Sequence, residues 1–143
     1  MTAEIRILHA GDEHVLDDVL PEAFDHPIVP AAAAEFLRDP RHHIAVALDE
    51  GTVVGFVSSV LYVHPDKERP ELWINEVGVA PSHHRQGIGR RLMDATLELG
   101  RKANCTEAWV LTDRDNAAGM ALYASAGGVE APNDQVMFTF FLD

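Results

Sequence analysis

The sequence predicts a mixed α/β domain, and three observations carry that reading. Short β-branched runs alternate apolar and polar residues, amphipathic helical stripes separate them, and glycine or proline marks most junctions. The chain has 143 residues, a length that suits one domain over 1–143. Hydrophobic residues make up 47%, enough to build a core. The expected order is β-α-α-β-β-β-α-β-α-β, with helices packed on a single mixed sheet.

Each element has its own signal. Glu4 to His9 alternates and reads as a first strand. HVLDDVLPEAF at 14–24 has an amphipathic helical pattern that Pro21 bends or ends. PAAAAEFLRD at 30–39 opens on proline, a residue suited to the first helical turn, and Pro40 closes it. Residues 42–63 are two β-branched runs joined by Asp49-Glu50-Gly51, a hairpin signal. ELWINEVGVA at 71–80 is a further strand, stopped by Pro81. Ile88, Leu92, Ala95, Leu99 and Ala103 fall on one stripe of a helix over 88–103. AWVLT at 108–112 is a short strand, and NAAGMALYASAG at 116–127 a small helix stopped by Gly127-Gly128. QVMFTFFL at 135–142 reads as a last strand.

Composition excludes several classes of function. The formal net charge is −12, against the basic footprint that nucleic-acid binding requires. Such a surface attracts cations and also serves plain solubility. No apolar stretch approaches the roughly 20 residues that span a bilayer. MTAEIRIL has no basic segment leading into an apolar one, so a cytoplasmic location is expected. Cys105 is the one cysteine, which leaves no internal disulfide and no Cys-x-x-Cys metal pair. It follows Asn104 with no histidine nearby in sequence, and reads as structural.

One stretch runs against the acidic background: HHRQGIGRRL at 83–92. A strand leads into Gly87-Ile88-Gly89 and then a helix. That geometry aims free N–H groups and the positive dipole end at one point, an anion site. Arg90 and Arg91 oppose the dipole, which makes sense if an anion sits between them. A tight turn with solvated arginines satisfies the same pattern. There is no Gly-x4-Gly-Lys-[Ser/Thr] and no complete Gly-x-Gly-x-x-Gly with a ribose-binding acid. His83 and His84 are adjacent and lack a third ligand at metal spacing, so no metal is expected.

VGVAPSHHRQGIGRRLMDATLELGRKAN resembles the acyl-CoA-binding segment of the GNAT superfamily of N-acetyltransferases. That family's pattern is [Gln/Arg]-x-x-Gly-x-[Gly/Ala]; here it is His84, Arg85, Gln86, Gly87, Ile88 and Gly89, with histidine in the first place. DRDNAAGMALYASAG resembles the family's second helix motif through Asn116, Leu122, Tyr123 and Gly127, with Gly119 for alanine and Gly128 for phenylalanine. Within the superfamily, Leu61 to Val79, HRQGI, the ALY stretch and the tail VMFTFFLD are most similar to the aminoglycoside 3-N-acetyltransferase group.

The resemblance implies that acetyl-CoA lies between strands 71–80 and 108–112. Its pyrophosphate would rest on the N–H groups of Arg85 to Gly89, with Arg85, Arg90 or Arg91 assisting. Val77 and Val79 would pair with the pantetheine arm through their backbones, and Asn116 would contact it while capping its helix. Glu76 is the candidate base. It is expected on the strand face of Leu72 and Ile74, where apolar surroundings make a carboxylate a stronger base. Tyr123 is the candidate acid for the departing thiolate. Asp25, Glu71, Asp113 and Asp115 are candidates, with Glu76, for an acidic cleft that selects a small cationic amine. As single residues they are equally read as solvated charges. Trp73 and Phe138, Phe140 and Phe141 read as core or dimer contacts, and the last strand as a pairing element of a homodimer. Three functions remain open: acetylation of an aminoglycoside at its 3-amino group, acetylation of another amine (polyamine, amino acid or protein N-terminus), and acyl-CoA binding without catalysis.

Overall fold

The computed structural model describes residues 2–132 and 134–143. Five strands form one sheet in sequential order: β1 (Glu4–Ile7), β2 (His42–Asp49), β3 (Thr52–Tyr62), β4 (Glu71–Val79) and β5 (Ala108–Val110). The first four are antiparallel neighbours and β5 joins β4 in parallel. Three α-helices accompany them: α1 (Pro30–Arg38), α2 (Ile88–Lys102) and α3 (Ala117–Ser125).

Both faces of the sheet are covered, by different elements. Leu92 and Met93 of α2 pack with Ala45, Val57, Leu72 and Ile74 on one face. Val15, Leu16 and Leu37 pack with Val46, Val53 and Phe56 on the other. The β2–β3 connection is the two-residue hairpin Glu50-Gly51, with φ of 50° and 86°. Both lie in the left-handed region that this tight turn demands.

The α2 stripe differs from the expected one. Ile88, Leu92, Met93, Thr96 and Gly100 are buried, whereas Ala95, Leu99 and Ala103 are only partly so. Thr96 tolerates burial because its hydroxyl donates to the Leu92 carbonyl at 2.9 Å. Gly100 gives room to Leu72: a Cβ there would lie 3.2 Å from Leu72 Cδ2.

Two expected elements do not form. The helix over 14–24 shrinks to a 3-10 turn, Glu13–Asp17. The next residues bond to the sheet instead: the Val53 N–H donates to Asp18 and the Leu20 N–H to the Val53 carbonyl. The strand over 135–142 is absent. Val136, Met137, Phe138, Phe140, Phe141 and Leu142 are between 77% and 93% exposed. Alternation marks a segment that can pair, but a strand needs an edge to pair with. At the helix end, Gly127 takes a φ of 98° and the Gly128 N–H returns to the Tyr123 carbonyl at 2.9 Å, which terminates α3.

A β-bulge in β4 decides what each face carries. Ser59 pairs with Ile74, but Ser58 pairs with Glu76, so Asn75 is an extra residue. Leu72 and Ile74 face α2 before it, and Val77 and Val79 pack toward α2 after it. Glu76 therefore lies on the opposite face, with Ser58 and, one step on, Phe56 and Gly78. The expected placement of Glu76 beside Leu72 and Ile74 is corrected by this one residue. Glu76 is exposed, not set among apolar side chains.

Candidate active site

The β4–β5 ladder contains only Leu72↔Ala108, Trp73↔Trp109 and Ile74↔Val110, while β4 continues to Val79. Past Ile74 the two strands part. The Ala80 N–H donates to the Val54 carbonyl, so Gly55↔Val79 is a pair whose own N–H and C=O groups point away from each other. By alternation the same holds for Val77. The backbone groups of Val77 and Val79 thus line the gap.

The HHRQGIGRRL segment closes one end of that gap. Gly87, at a φ of 76°, caps α2, and Arg85 also has a positive φ of 62°. No described side chain caps α2, so its first N–H groups are free to receive an anion. A Cβ on Gly87 would meet nothing within 4 Å, so space remains for a phosphate. Gly89 has a different reason: a Cβ there would approach Leu122 of α3 to 3.3 Å. The residues present fit the pyrophosphate of acetyl-CoA. Gly87→Val is expected to cost about 1–2 kcal/mol through backbone strain. It should also weaken acetyl-CoA binding, as thermal denaturation and calorimetric titration would show.

The basic residues of the segment divide. Arg90 bonds Asp94 at 2.9 Å and the Ser125 carbonyl, tying α2 to α3. Arg91 donates to the Ala3 carbonyl at 2.7 Å. Both are turned to structural partners, which leaves Arg85 as the exposed cation beside the cradle. His84 Nε2 lies 2.7 Å from the Val79 carbonyl. A carbonyl can only accept, so Nε2 carries the proton and the ring braces the loop against β4. Gln86 and Ile88 line a cavity of about 460 Å³ with Asp49, His83 and Arg91. His83 bonds Asp49 at 2.7 Å and Ser82 at 2.8 Å, pinning the loop to the β2–β3 hairpin. That clamp joins residues 34 apart, and nothing local in the sequence signals it.

Asn116 caps α3: its side chain accepts from the Gly119 N–H at 3.1 Å and donates to Thr112 at 3.0 Å. A Cβ at 119 would lie 2.5 Å from the Asn116 amide, which accounts for glycine there. Tyr123 is half-buried against the α2-side core, and burial pushes its phenol above the ordinary value. It stays protonated at neutral pH and can donate. Burial likewise raises the Cys105 thiol, in keeping with an inert residue.

The acidic candidates do not converge as a group. Glu71 is buried and bonded to Lys67 at 3.0 Å, with His64 Nε2 3.0 Å from the same carboxylate. The Lys67 hydrogen bond holds its carboxyl below the usual range. These partners meet Glu71's charge at the opposite end of β4 from Val79. Asp113 and Asp115 are exposed in the turn after β5, where their carbonyls accept from Asn116 and Ala117. Asp25 lines a cavity of about 470 Å³ with Leu16, Phe24 and Ile28. That cavity borders the Glu76 face: Phe24 stacks on Phe56 at 3.8 Å, and a Cβ on Gly78 would meet the Ala23 carbonyl at 2.5 Å.

Among the described residues no group of three or more His, Cys, Asp or Glu could hold a metal ion. No described helix is long and apolar enough to cross a membrane.

Known proteins share this architecture. N-alpha-acetyltransferase RimI of Mycobacterium tuberculosis (strain ATCC 25618 / H37Rv) is 35% identical over 104 residues, 72% of this chain. The match spans 62% of that relative, less than two thirds of its length. An aminoglycoside acetyltransferase from an uncultured soil metagenomic sample, meta-AAC0020 in complex with trehalose, superposes with a TM-score of 0.85 at 25% identity. The superposition covers 99% of this chain and 97% of that one. AAC(6')-Iy in complex with a CoA-containing bisubstrate analogue shares the fold, with a TM-score of 0.78 at 18% identity and 99% of each chain covered. Residues 12–127 match the model of the acetyltransferase (GNAT) family, and the chain belongs to that family.

Proposed function

We propose that this protein transfers the acetyl group of acetyl-CoA to a primary amine of a small cationic acceptor. One observation carries the reading: β4 and β5 part just where Val77 and Val79 turn their backbone groups outward, and the glycine cradle closes the same gap. The thioester would lie along β4 with its pyrophosphate on the N–H groups of Arg85 to Gly89. The acceptor would approach from the Glu76 face.

An aliphatic amine is protonated at neutral pH and must lose a proton to become a nucleophile. Glu76 takes that proton, directly or through a water. The amine nitrogen then forms a bond to the carbonyl carbon, and the carbon–sulfur bond breaks. Tyr123 gives its phenolic proton to the departing thiolate and is reprotonated, through water, by the second proton that the nitrogen sheds as the amide forms. No acyl group rests on Cys105.

The net charge of −12 and the acids Asp25 and Glu76 favour a cationic acceptor. An aminoglycoside is the acceptor proposed, supported by the likeness to meta-AAC0020, and its 3-amino group is the position that the motif resemblance of HRQGI and the ALY stretch suggests. A protein N-terminus is the second reading, supported by the likeness to RimI. Thiol release from acetyl-CoA with aminoglycosides, polyamines and peptides tests both. NMR of the product should place the acetyl group on the 3-nitrogen of 2-deoxystreptamine. Turnover of peptides alone would move the acceptor to a protein N-terminus. No turnover of any amine, with acetyl-CoA still bound, would leave a binding module.

The exposed apolar tail supports a homodimer in which 135–142 pairs with the second copy. Light scattering is expected to give twice the 15.7 kDa chain mass. Truncation after Asp134 should return a monomer; a full-length monomer would refute the pairing.

A further inference from the structure

The bulge that sends Glu76 to the face opposite α2 leaves other side chains there that the transfer chemistry does not use. Trp73 pairs with Val60, and Glu76 with Ser58, two residues away on the same strand. Trp73, Val60, Ser58 and Glu76 therefore share one face. Trp109, in register with Trp73 across β5, shares it too. The two indoles stack, with centroids 5.4 Å apart and planes 12° from parallel.

This pair is not closed into the core. Trp109 is 36% exposed and Trp73 partly so, although each indole is large enough to anchor a core. The segment packed over this face, Phe24 on Phe56, covers only its other end. Across β3 from Glu76 lies Ser58, 7% exposed, with a buried hydroxyl oxygen that has no hydrogen-bond partner among the described residues. Buried hydroxyls are ordinarily paired. An aromatic platform and, farther along β4, a carboxylate thus share one face.

We infer that Trp73 and Trp109 form the acceptor's docking platform and select for a ring-shaped, cationic aminosugar. The apolar face of a sugar ring lies on the stacked indoles, and the amine to be acetylated reaches Glu76. An ammonium group near the indoles gains from their negative π-faces. A linear polyamine has the charge but no ring face to stack. This inference rests on the acetyl transfer proposed above and adds to it the residues that choose the acceptor.

These are the only two tryptophans in the chain, so intrinsic fluorescence reports on the platform alone. Titration of the full-length protein with neamine, an aminoglycoside, is expected to give a saturable change in emission; spermidine at matched total amine concentration should give a much smaller one. Trp109→Leu, at the exposed member of the pair, should raise KM for neamine about tenfold. KM for acetyl-CoA should not change, and Trp109→Phe should restore most of the loss. An unchanged KM in Trp109→Leu, or neamine and spermidine acting alike on the emission, overturns the platform. An emission that follows protein concentration and ignores neamine also overturns it, because a second copy then covers the indoles. Saturable binding of neamine without acetylation would keep the platform and refute the transfer.

Discussion

Glu76→Gln is expected to lower kcat by roughly 10²–10⁴-fold, the range over which a positioned base contributes. KM for acetyl-CoA should stay within about twofold, because the anchors proposed for the thioester are backbone groups and the glycine loop, not Glu76. The substitution keeps the size of the side chain and removes its charge together with its ability to take a proton. Glu76 is exposed and pairs across β3 with Ser58, so no core contact is lost. Steady-state kinetics at saturating acetyl-CoA reads the effect. An unchanged kcat would mean that solvent removes the proton and that Glu76 only attracts the amine.

Tyr123→Phe is expected to lower kcat by about 10²-fold, with acetyl-CoA affinity retained. The ring keeps its packing against the core while the proton donor is lost. The pH dependence provides a second test. Burial pushes the phenol above its ordinary value, so the donor form persists through neutral and mildly alkaline pH. Activity that needs the phenol should fall only as pH rises beyond about 10. The phenylalanine variant should lack that alkaline limb. Stability follows the same sign. The unfolded phenol ionises first, so the folded state loses ground as pH climbs past about 10. A kcat equal to that of the unsubstituted protein would assign thiolate protonation to water.

The sequence made the sheet and the glycine entry to α2 legible because both rest on local chemistry. Alternating β-branched runs gave β2, β3 and β4. Glycine followed by an amphipathic stripe gave the entry to α2, where Gly87 does take the left-handed conformation. The face of Glu76 was not legible. Alternation counts residues, and a bulge adds one without changing composition. The stripe of α2 was misjudged for a related reason: Gly100 and Thr96 are buried by what Leu72 and the Leu92 carbonyl require of them. The segment 14–24 carries a helical pattern, but its backbone found partners on Val53, 30 or more residues away. The tail over 135–142 has the composition of a strand, yet pairing needs an edge that lies outside any local window. Glu71, grouped with the acceptor acids by charge, is matched by Lys67 and His64, which only the folded chain brings to it.

The extra residue at Asn75 also divides β4 into halves with different lives in water. The Leu72 amide is bonded to the Glu107 carbonyl at 3.0 Å, within the stretch where β4 has neighbours on both sides. The amides of Val77 and Val79 lie beyond the last β4–β5 pair and have β3 alone as a neighbour. Deuterium should therefore enter the second half quickly and the first half slowly, within nine residues of one strand. Acetyl-CoA, by occupying the gap, should erase that contrast and leave β4 exchanging as a single slow unit.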